Sequence, residues 1–458
     1  MSTLQVDLGL IKKYNVAGPR YTSYPPATHF TDQVSFEDLR GRIRANNESP
    51  RNLSLYFHLP FCQTLCWYCG CTTVITTKQS QSTTYLGYLK KEMELMGELM
   101  NPARQAVQLH FGGGTPTFLT PEELRSLGRM IHERFKVAPD AEAGVEIDPR
   151  RLTAEHVSAL REIGFNRASI GVQDHNPEVQ RAVHRIQPLE QTTQAVNWVR
   201  DAGFQSVNID LIYGLPHQTA ASFEKTIDEV LRLKPDRFAV FSYAHVPWIK
   251  PAQRIFNDSA LPSAEVKLEL LKLTIEKLTA EGFVYIGMDH FARPDDELTL
   301  AQKQKTLQRN FQGYSTHGET DIYSFGMSSI SQADGFYWQN VKELVAYYEA
   351  LDRSALPFAK GYVLTGSDRI RRQTIMRLMC DLSLDYALMS RLIGRDFKTY
   401  FAAELASLGD LEADGLIERN EEGLVVTDIG RLLIRNIAMR FDAYQAARAA
   451  ERAYSQTI

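Results

Sequence analysis

Leu53-Ser54-Leu55-Tyr56-Phe57-His58-Leu59 runs directly into Pro60-Phe61-Cys62-Gln63-Thr64-Leu65-Cys66-Trp67-Tyr68-Cys69-Gly70-Cys71. The first seven residues form a short apolar and aromatic run stopped by proline, which reads as a buried strand. The loop behind it carries four thiols in the pattern CxxxCxxCxC. Outward along the chain the alternation recurs. Short runs at 106–111, 143–148, 166–172, 206–213 and 237–243 are separated by amphipathic stretches, including 84–99, 121–135, 190–202 and 221–233. Strands alternating with helical patterns are the signature of βα units around a parallel sheet. A further helix is expected at 264–281 and a seventh strand at 283–288.

Six βα units in about 200 residues fall short of a closed eight-unit barrel, which needs about 250. The expected fold is therefore α/β, an open (β/α)6 partial TIM-type barrel. An N-terminal arm and helix are expected over 1–50, the catalytic barrel and its extensions over 51–360, and a mainly helical C-terminal domain over 361–458. The arm is aromatic and proline-rich, GPRYTSYPP at 18–26, with a helix at 36–46. Residues 415–427 read as a hairpin with a polar turn, so the C-terminal domain is expected to be winged-helix-like. That hairpin carries more acids than bases, which favours a packing or lid role over DNA binding. In βα folds the chemistry gathers where strands end. The thiol loop, Gly112-Gly113-Gly114-Thr115, Glu146, Asp148, Gln173, Asp174, Asp210, Tyr213, Tyr243 and His245 all fall at such ends, which places one site at one rim.

Composition narrows the function. The chain has 458 residues, 44% hydrophobic and 23% charged, enough for a large core. Lys plus Arg number 51 against 55 Asp plus Glu, a net charge of −4. General nucleic-acid binding is disfavoured, because it rests on clustered cations neutralising phosphates. No run of about 18 apolar residues marks a membrane span. The opening MSTLQVDLGLIKKYNV lacks the apolar core of a signal peptide, so a cytoplasmic location is expected.

Four of the 5 cysteines fall within ten residues, unlike the spread of a secreted disulfide scaffold. Three chemistries compete for such a loop. Structural zinc draws ligand pairs from two separated knuckles. A dithiol redox pair would use Cys66 and Cys69 and leave Cys62 and Cys71 unexplained. An iron–sulfur cluster can be held by thiolates of one loop. Cys380, in the apolar stretch MRLMCDLSLDY, reads as core.

The spacing of three and then two residues resembles the loop of radical S-adenosylmethionine enzymes. The likeness extends to Cys71, GPRYTSYP at 18–25, HFGGGTPTFL at 110–119, EIDPR at 146–150, SIGVQD at 169–174, NIDLIYGLPHQT at 208–219 and GMDHFARPDDEL at 287–298. With these the chain resembles the oxygen-independent coproporphyrinogen III oxidase (dehydrogenase) family over nearly its whole length. The alternative is a related haem chaperone, a haem-binding non-oxidase; such proteins share the three-cysteine loop but typically lack the fourth cysteine and the arm. The resemblance implies a [4Fe-4S] cluster on Cys62, Cys66 and Cys69, with a fourth iron open to S-adenosylmethionine. It implies anaerobic oxidative decarboxylation of the ring A and B propionates of coproporphyrinogen III to vinyls, giving protoporphyrinogen IX, by a 5′-deoxyadenosyl radical. Two S-adenosylmethionine molecules, a low-potential donor such as a flavodoxin, and a monomeric state are also implied.

Residue roles follow from the same resemblance. Tyr56, Tyr68, Gly113, Gly114, Thr115 and Glu146 would contact cofactor, the glycines by letting backbone approach its methionyl end. Gln173, Arg185, Asp210, Ala244 and Ile330 would surround the second molecule, Arg185 by forking onto a carboxylate. Taken alone, a glycine run can be a plain turn and a helical arginine a solvated charge. Tyr68 stands where the family more often has phenylalanine. His58 and Cys71 are the catalytic candidates beside the cluster, and Asp148 has no assigned role. A tetracarboxylate substrate requires cations, for which Arg20, Arg254, Arg293 and Arg309 are candidates. The arm around Arg20 and Tyr21 is expected to close over the substrate.

Overall fold

A computed structural model describes residues 4–445. The six expected strands are β1 (Leu53–Leu59), β2 (Gln105–Gly113), β3 (Lys136–Ile147), β4 (Arg167–Gln173), β5 (Ser206–Tyr213) and β6 (Arg237–Ser242). They pair in sequence order and in parallel. Parallel neighbours need crossovers, and helices such as Ser80–Gly97, Pro121–Arg134, Leu189–Asp201 and Ala220–Leu231 supply them. Two of these begin at capping boxes, Thr120 with Glu123 and Thr219 with Ser222, which satisfy backbone donors that helix ends leave free.

Side chains alternate along each strand. Leu55, Phe57, Leu109, Phe111, Ile170 and Ile209 point outward beneath the helices, each burial contributing about 1.5–3 kcal/mol. The opposite face of the same strands is polar and lines the barrel interior.

The sheet continues past both ends of this run. The expected strand at 283–288 is β7 (Val284–Gly287), but it sits at the outer edge, because β8 (His290–Ala292) comes between and pairs antiparallel with β6. A two-residue turn joins β7 to β8, too short for a parallel crossover. On the other side β1 pairs in parallel with β9 (Asp321–Phe325). Beyond it β10 (Ile330–Ala333), β11 (Phe336–Asn340) and β12 (Phe358–Val363) add antiparallel strands. The order among the described residues is β12-β11-β10-β9-β1-β2-β3-β4-β5-β6-β8-β7. No sequence expectation covered β9 to β12. Asp-Ile-Tyr-Ser-Phe is buried at every position, so it lacks the alternation that marks a half-exposed strand.

β12 runs to Val363, across the boundary drawn at 360 from sequence. After it come the helix Gly366–Asp381, β13 (Ser383–Asp385), β14 (Ile417–Arg419) and β15 (Gly423–Val426), the last two forming the expected hairpin about Asn420. Their core, with Leu378, Phe397, Leu416 and Phe441, takes in Tyr14, Tyr21 and Tyr24 from the arm. Cys380 belongs to the same core. The arm is thus tied down, with Tyr21 Oη donating to Asp442 at 2.9 Å. The ends of the two terminal regions, 1–3 and 446–458, lie outside the described residues. Among the described residues no helix is long and apolar enough to cross a membrane.

Candidate active site

β2 clamps the thiol loop. Gly114 N–H donates to Leu59 O and Thr115 N–H to Phe61 O, both at 2.9 Å. A Cβ on Gly113, whose φ is +112°, would come within 2.6 Å of the His58 ring, and one on Gly114 within 2.5 Å of Pro60 O. These glycines are therefore required for the loop to lie on the strand at all. The four thiols are free. Cys66 is buried, and its Sγ accepts from Arg150 Nη2 at 3.4 Å and Arg185 Nη1 at 3.6 Å. Cys62 Sγ lies 3.3 Å from Thr115 Oγ1, and burial pushes its thiol up to about 11. The hydrogen bond from the Cys71 thiol draws Cys69 down to about 6. Cys71 itself is exposed.

Strand alternation brings the polar interior together. The Tyr56 and His110 rings stack with centroids 5.8 Å apart. Tyr56 Oη lies 3.2 Å from His58 Nδ1, while Thr72 O, which can only accept, lies 2.9 Å from Nε2. The proton therefore sits on Nε2, and Nδ1 accepts from Tyr56. Burial lowers the His58 pKa, keeping the ring neutral. Glu146 accepts from Gly113 N–H at 3.1 Å and lies 3.6 Å from His110 Nε2. Burial opposes its ionisation, but the His110 contact and Gly113 N–H prevail and hold it below the usual carboxylate range.

Asp148 bridges Arg150 at 2.6 Å and Arg185 at 3.0 Å. Burial works against its charge and the two guanidiniums outweigh it, so it sits at about 2. Arg185 also donates to Gly171 O at 2.6 Å and Gln187 Oε1 at 3.2 Å. It is a buried, fully engaged cation and not a solvated helix charge. Asp210 accepts from Ser169 at 2.8 Å and Asn208 at 2.7 Å, yet burial pushes it up to about 7.

The structure thus gathers Tyr56, His58, Cys62, Cys66, Cys69, Cys71, Gly113, Gly114, Thr115, Glu146, Asp148, Arg185 and Asp210 at one end of the parallel strands. Gln173 ends β4 with φ +69°, its amide beside Gly171 and Arg185. Tyr68 packs against Val179, Val183, Leu215, Tyr243 and Phe256, and Ala244, exposed, follows Tyr243. Ile330 opens β10, two strands from β1, and packs toward Phe30, Tyr337 and Leu364. Asp174 is taken up by Gln218 and Thr226 in a structural network. Sequence reasoning quoted the motifs containing His110, Arg150, Ser169 and Asn208 but gave these four no role. Asn208 was legible in principle, being two residues from Asp210 on one strand face. Of the four candidate substrate arginines, Arg254 donates to Pro247 O on the surface and Arg293 lies 3.6 Å from Asp295, also exposed. Only Arg20 and Arg309 come together, in contact through the Arg20 backbone.

The donor set fits an iron–sulfur cluster: three thiols on one loop, with two guanidiniums on the most buried one to offset thiolate charge. Among the described residues no three His, Cys, Asp or Glu side chains converge on a single ion. A four-iron cube takes each thiolate at a separate corner.

This fold and loop define a protein of the radical S-adenosylmethionine class. The Radical SAM superfamily profile matches residues 56–230, and the HemN C-terminal domain profile matches residues 364–433. Oxygen-independent coproporphyrinogen III oxidases from Escherichia coli K12 and Synechocystis sp. are each 46% identical over 460 aligned residues, covering 100% of this chain and 100% and 99% of theirs. The solved structure described as "Coproporphyrinogen III oxidase (HemN) from Escherichia coli is a Radical SAM enzyme" superposes with a TM-score of 0.92 at 45% identity, covering 97% of this chain and 100% of that one. The chain belongs to the oxygen-independent coproporphyrinogen III oxidase family. Membership of the radical SAM superfamily implies a [4Fe-4S] cluster and S-adenosylmethionine.

Proposed function

We propose that the protein oxidatively decarboxylates the ring A and B propionates of coproporphyrinogen III without oxygen, giving protoporphyrinogen IX. The observation that carries this reading is the three-thiol loop at the barrel mouth, in a chain alike end to end with enzymes of that name. Each conversion removes one hydrogen atom from a propionate β-carbon, releases carbon dioxide and passes one further electron to an external one-electron acceptor, leaving a vinyl. Cys62, Cys66 and Cys69 would hold the cluster. When bound, cluster and S-adenosylmethionine supply one-electron reductive cleavage and, through it, hydrogen-atom abstraction.

The chain's own residues prepare that chemistry. Arg150 and Arg185 offset the charge on Cys66, and Asp148 fixes both guanidiniums. Glu146, ionised at neutral pH, offers acceptors to ammonium or hydroxyl groups. Neutral His58 and Tyr56 form a hydrogen-bonded pair beside the loop, and Cys71 stands exposed next to Cys69. Tyr56, Tyr68, Gly113, Gly114 and Thr115 would contact the cofactor with Glu146, and Gln173, Arg185, Asp210, Ala244 and Ile330 are the residues we assign to a second S-adenosylmethionine. A low-potential donor such as a flavodoxin, a cytoplasmic location and a monomeric state complete the reading.

The test is anaerobic. Enzyme with reconstituted cluster, S-adenosylmethionine and a strong reductant is expected to release carbon dioxide and protoporphyrinogen when coproporphyrinogen III is supplied. Stoichiometric haem retention with no turnover would instead identify a haem-binding chaperone.

A further inference from the structure

Three arginines meet where arm, barrel edge and C-terminal region join. Arg20 comes from the arm motif, Arg309 from the short strand Gln308–Asn310, and Arg435 from the helix Ile434–Met439. Arg309 and Arg435 are 6% and 5% exposed, whereas the Arg20 side chain is 38% exposed and opens the cluster to solvent. Asp289, in the β7–β8 turn, pairs with Arg20 and is a carboxylate that acts on all three. Arg435 reaches backbone oxygens, donating from Nε to Pro19 O at 3.0 Å and from Nη2 to Gly18 O. Arg309 donates from Nε to Arg20 O at 3.3 Å and lays its guanidinium over the Tyr314 ring at 4.7 Å. Its buried Nη1 has no hydrogen-bond partner among the described residues, and neither has the buried Nδ1 of His290.

Arg20 and Arg309 share Asp289, and a buried guanidinium with an unsatisfied N–H is costly unless an acceptor joins it. The effect is visible on the groups themselves. Burial and then Arg20 pull Arg435 down to about 10, and burial and then Arg309 pull His290 down to about 3. A latch fastening the arm to the C-terminal region would account for Arg435, which donates to the arm's backbone. It does not account for Arg309, because a neutral glutamine could reach Arg20 O and pack on Tyr314 without a charge.

We propose that Arg309 and Arg20 form a subsite for a carboxylate of the substrate, with Asp289 holding Arg20 until that carboxylate arrives. The proposal rests on the reading above that the substrate is a porphyrinogen tetracarboxylate. The Arg20 guanidinium lies over the Phe241 ring at 5.9 Å, at the end of β6 and so on the rim that carries the thiol loop. A tetracarboxylate can be held here by one carboxylate while another propionate is at the mouth.

The experiment compares binding of coproporphyrin III, the stable oxidised tetracarboxylate, with binding of its tetramethyl ester to the reconstituted enzyme under anaerobic conditions, followed by fluorescence quenching. Arg309→Gln is expected to weaken the tetracarboxylate by about ten-fold or more while leaving the ester unchanged. Arg309→Lys should restore part of the loss, and Asp289→Asn, which frees Arg20, should tighten the acid. In turnover, Arg309→Gln should raise KM for coproporphyrinogen III with kcat near that of the parent. Equal weakening of acid and ester, or no weakening of either, overturns the subsite. If the parent enzyme binds the acid through Arg309 yet makes no protoporphyrinogen, the proposed activity fails and the subsite stands. An unchanged KM in Arg309→Gln with normal product sinks the subsite alone.

Discussion

Arg150 and Arg185 sit beside Cys66 with Asp148 between them, whereas Arg20, Arg309 and Arg435 share Asp289. Both corners bury guanidiniums. In the first, two cations face one carboxylate and a thiol that becomes an anion when it binds iron, so the charge closes within the chain and its cluster. In the second, Asp289 serves both Arg20 and Arg309, and the buried Arg309 Nη1 has no hydrogen-bond partner among the described residues. A buried cation is stable when its anion is fixed nearby. The first corner reads as a finished holder and the second as one awaiting a guest.

The largest effect expected is at the first corner. Cys66→Ala should abolish turnover and strip the reconstituted protein of cluster absorption and iron, leaving its far-UV circular dichroism intact. A Cys66→Ala protein that keeps a full cluster would break the assignment of the loop.

Next comes stability without ligand. Asp148→Ala leaves Arg150 and Arg185 facing each other and should cost about 3 kcal/mol in urea unfolding. Arg309→Gln removes a charge short of partners and should stay within about 1 kcal/mol of the parent. Equal costs in the two variants would erase the contrast between the corners.

Asp210 sharpens it by pH. Its pKa of about 7 in the fold lies above the unfolded value of about 3.9, so the native state binds the extra proton between them. Stability contributed there is full below about pH 4 and declines as pH rises through 7. Asp210→Asn should match the parent at pH 4 and exceed it in melting temperature at pH 8, as thermal unfolding at the two pH values would reveal; a variant that gains nothing at pH 8 contradicts the shift.

The smallest effects belong to Arg254→Gln and Arg293→Gln, exposed side chains outside either corner. Each should change coproporphyrin III affinity by less than about two-fold in the same fluorescence titration. A ten-fold loss at either would move the carboxylate subsite to the surface loops.

The six strands of the parallel run were legible because each is a short apolar segment followed by a helical period, and the thiol loop because four cysteines in ten residues have few chemistries. β9 was not legible. Its sequence DIYSF has no alternation, and its partner β1 lies far away in the chain, so only tertiary pairing reveals it. β7 was read as a strand but not as an edge strand, since the antiparallel insertion of β8 depends on a two-residue turn. At the mouth, residue types at strand ends announced Glu146 and Asp210, while Arg150 and Asp148 became intelligible as a pair only through their shared contact with Arg185 and Cys66. Arg309 was legible as a cation and not as an under-partnered one, because burial is not written in a charge.

The parallel pairing of β1 with β9 also has a meaning for biogenesis. Asp321, at the head of β9, is gripped by Arg104 Nη2 at 2.5 Å and Asn46 Nδ2 at 2.6 Å, so both early segments wait on a late one. The strand that carries the thiols lacks one neighbour until residue 325 has been synthesised, about 260 residues later, on the order of tens of seconds at usual translation speeds. During that interval the thiol loop hangs from an unfinished sheet edge, exposed to oxidation and to stray metals. Ribosome-bound chains stalled before residue 321 should accordingly take up thiol-labelling reagents at Cys66 far faster than chains stalled well beyond 325; equal labelling would mean that the loop is sheltered without β9.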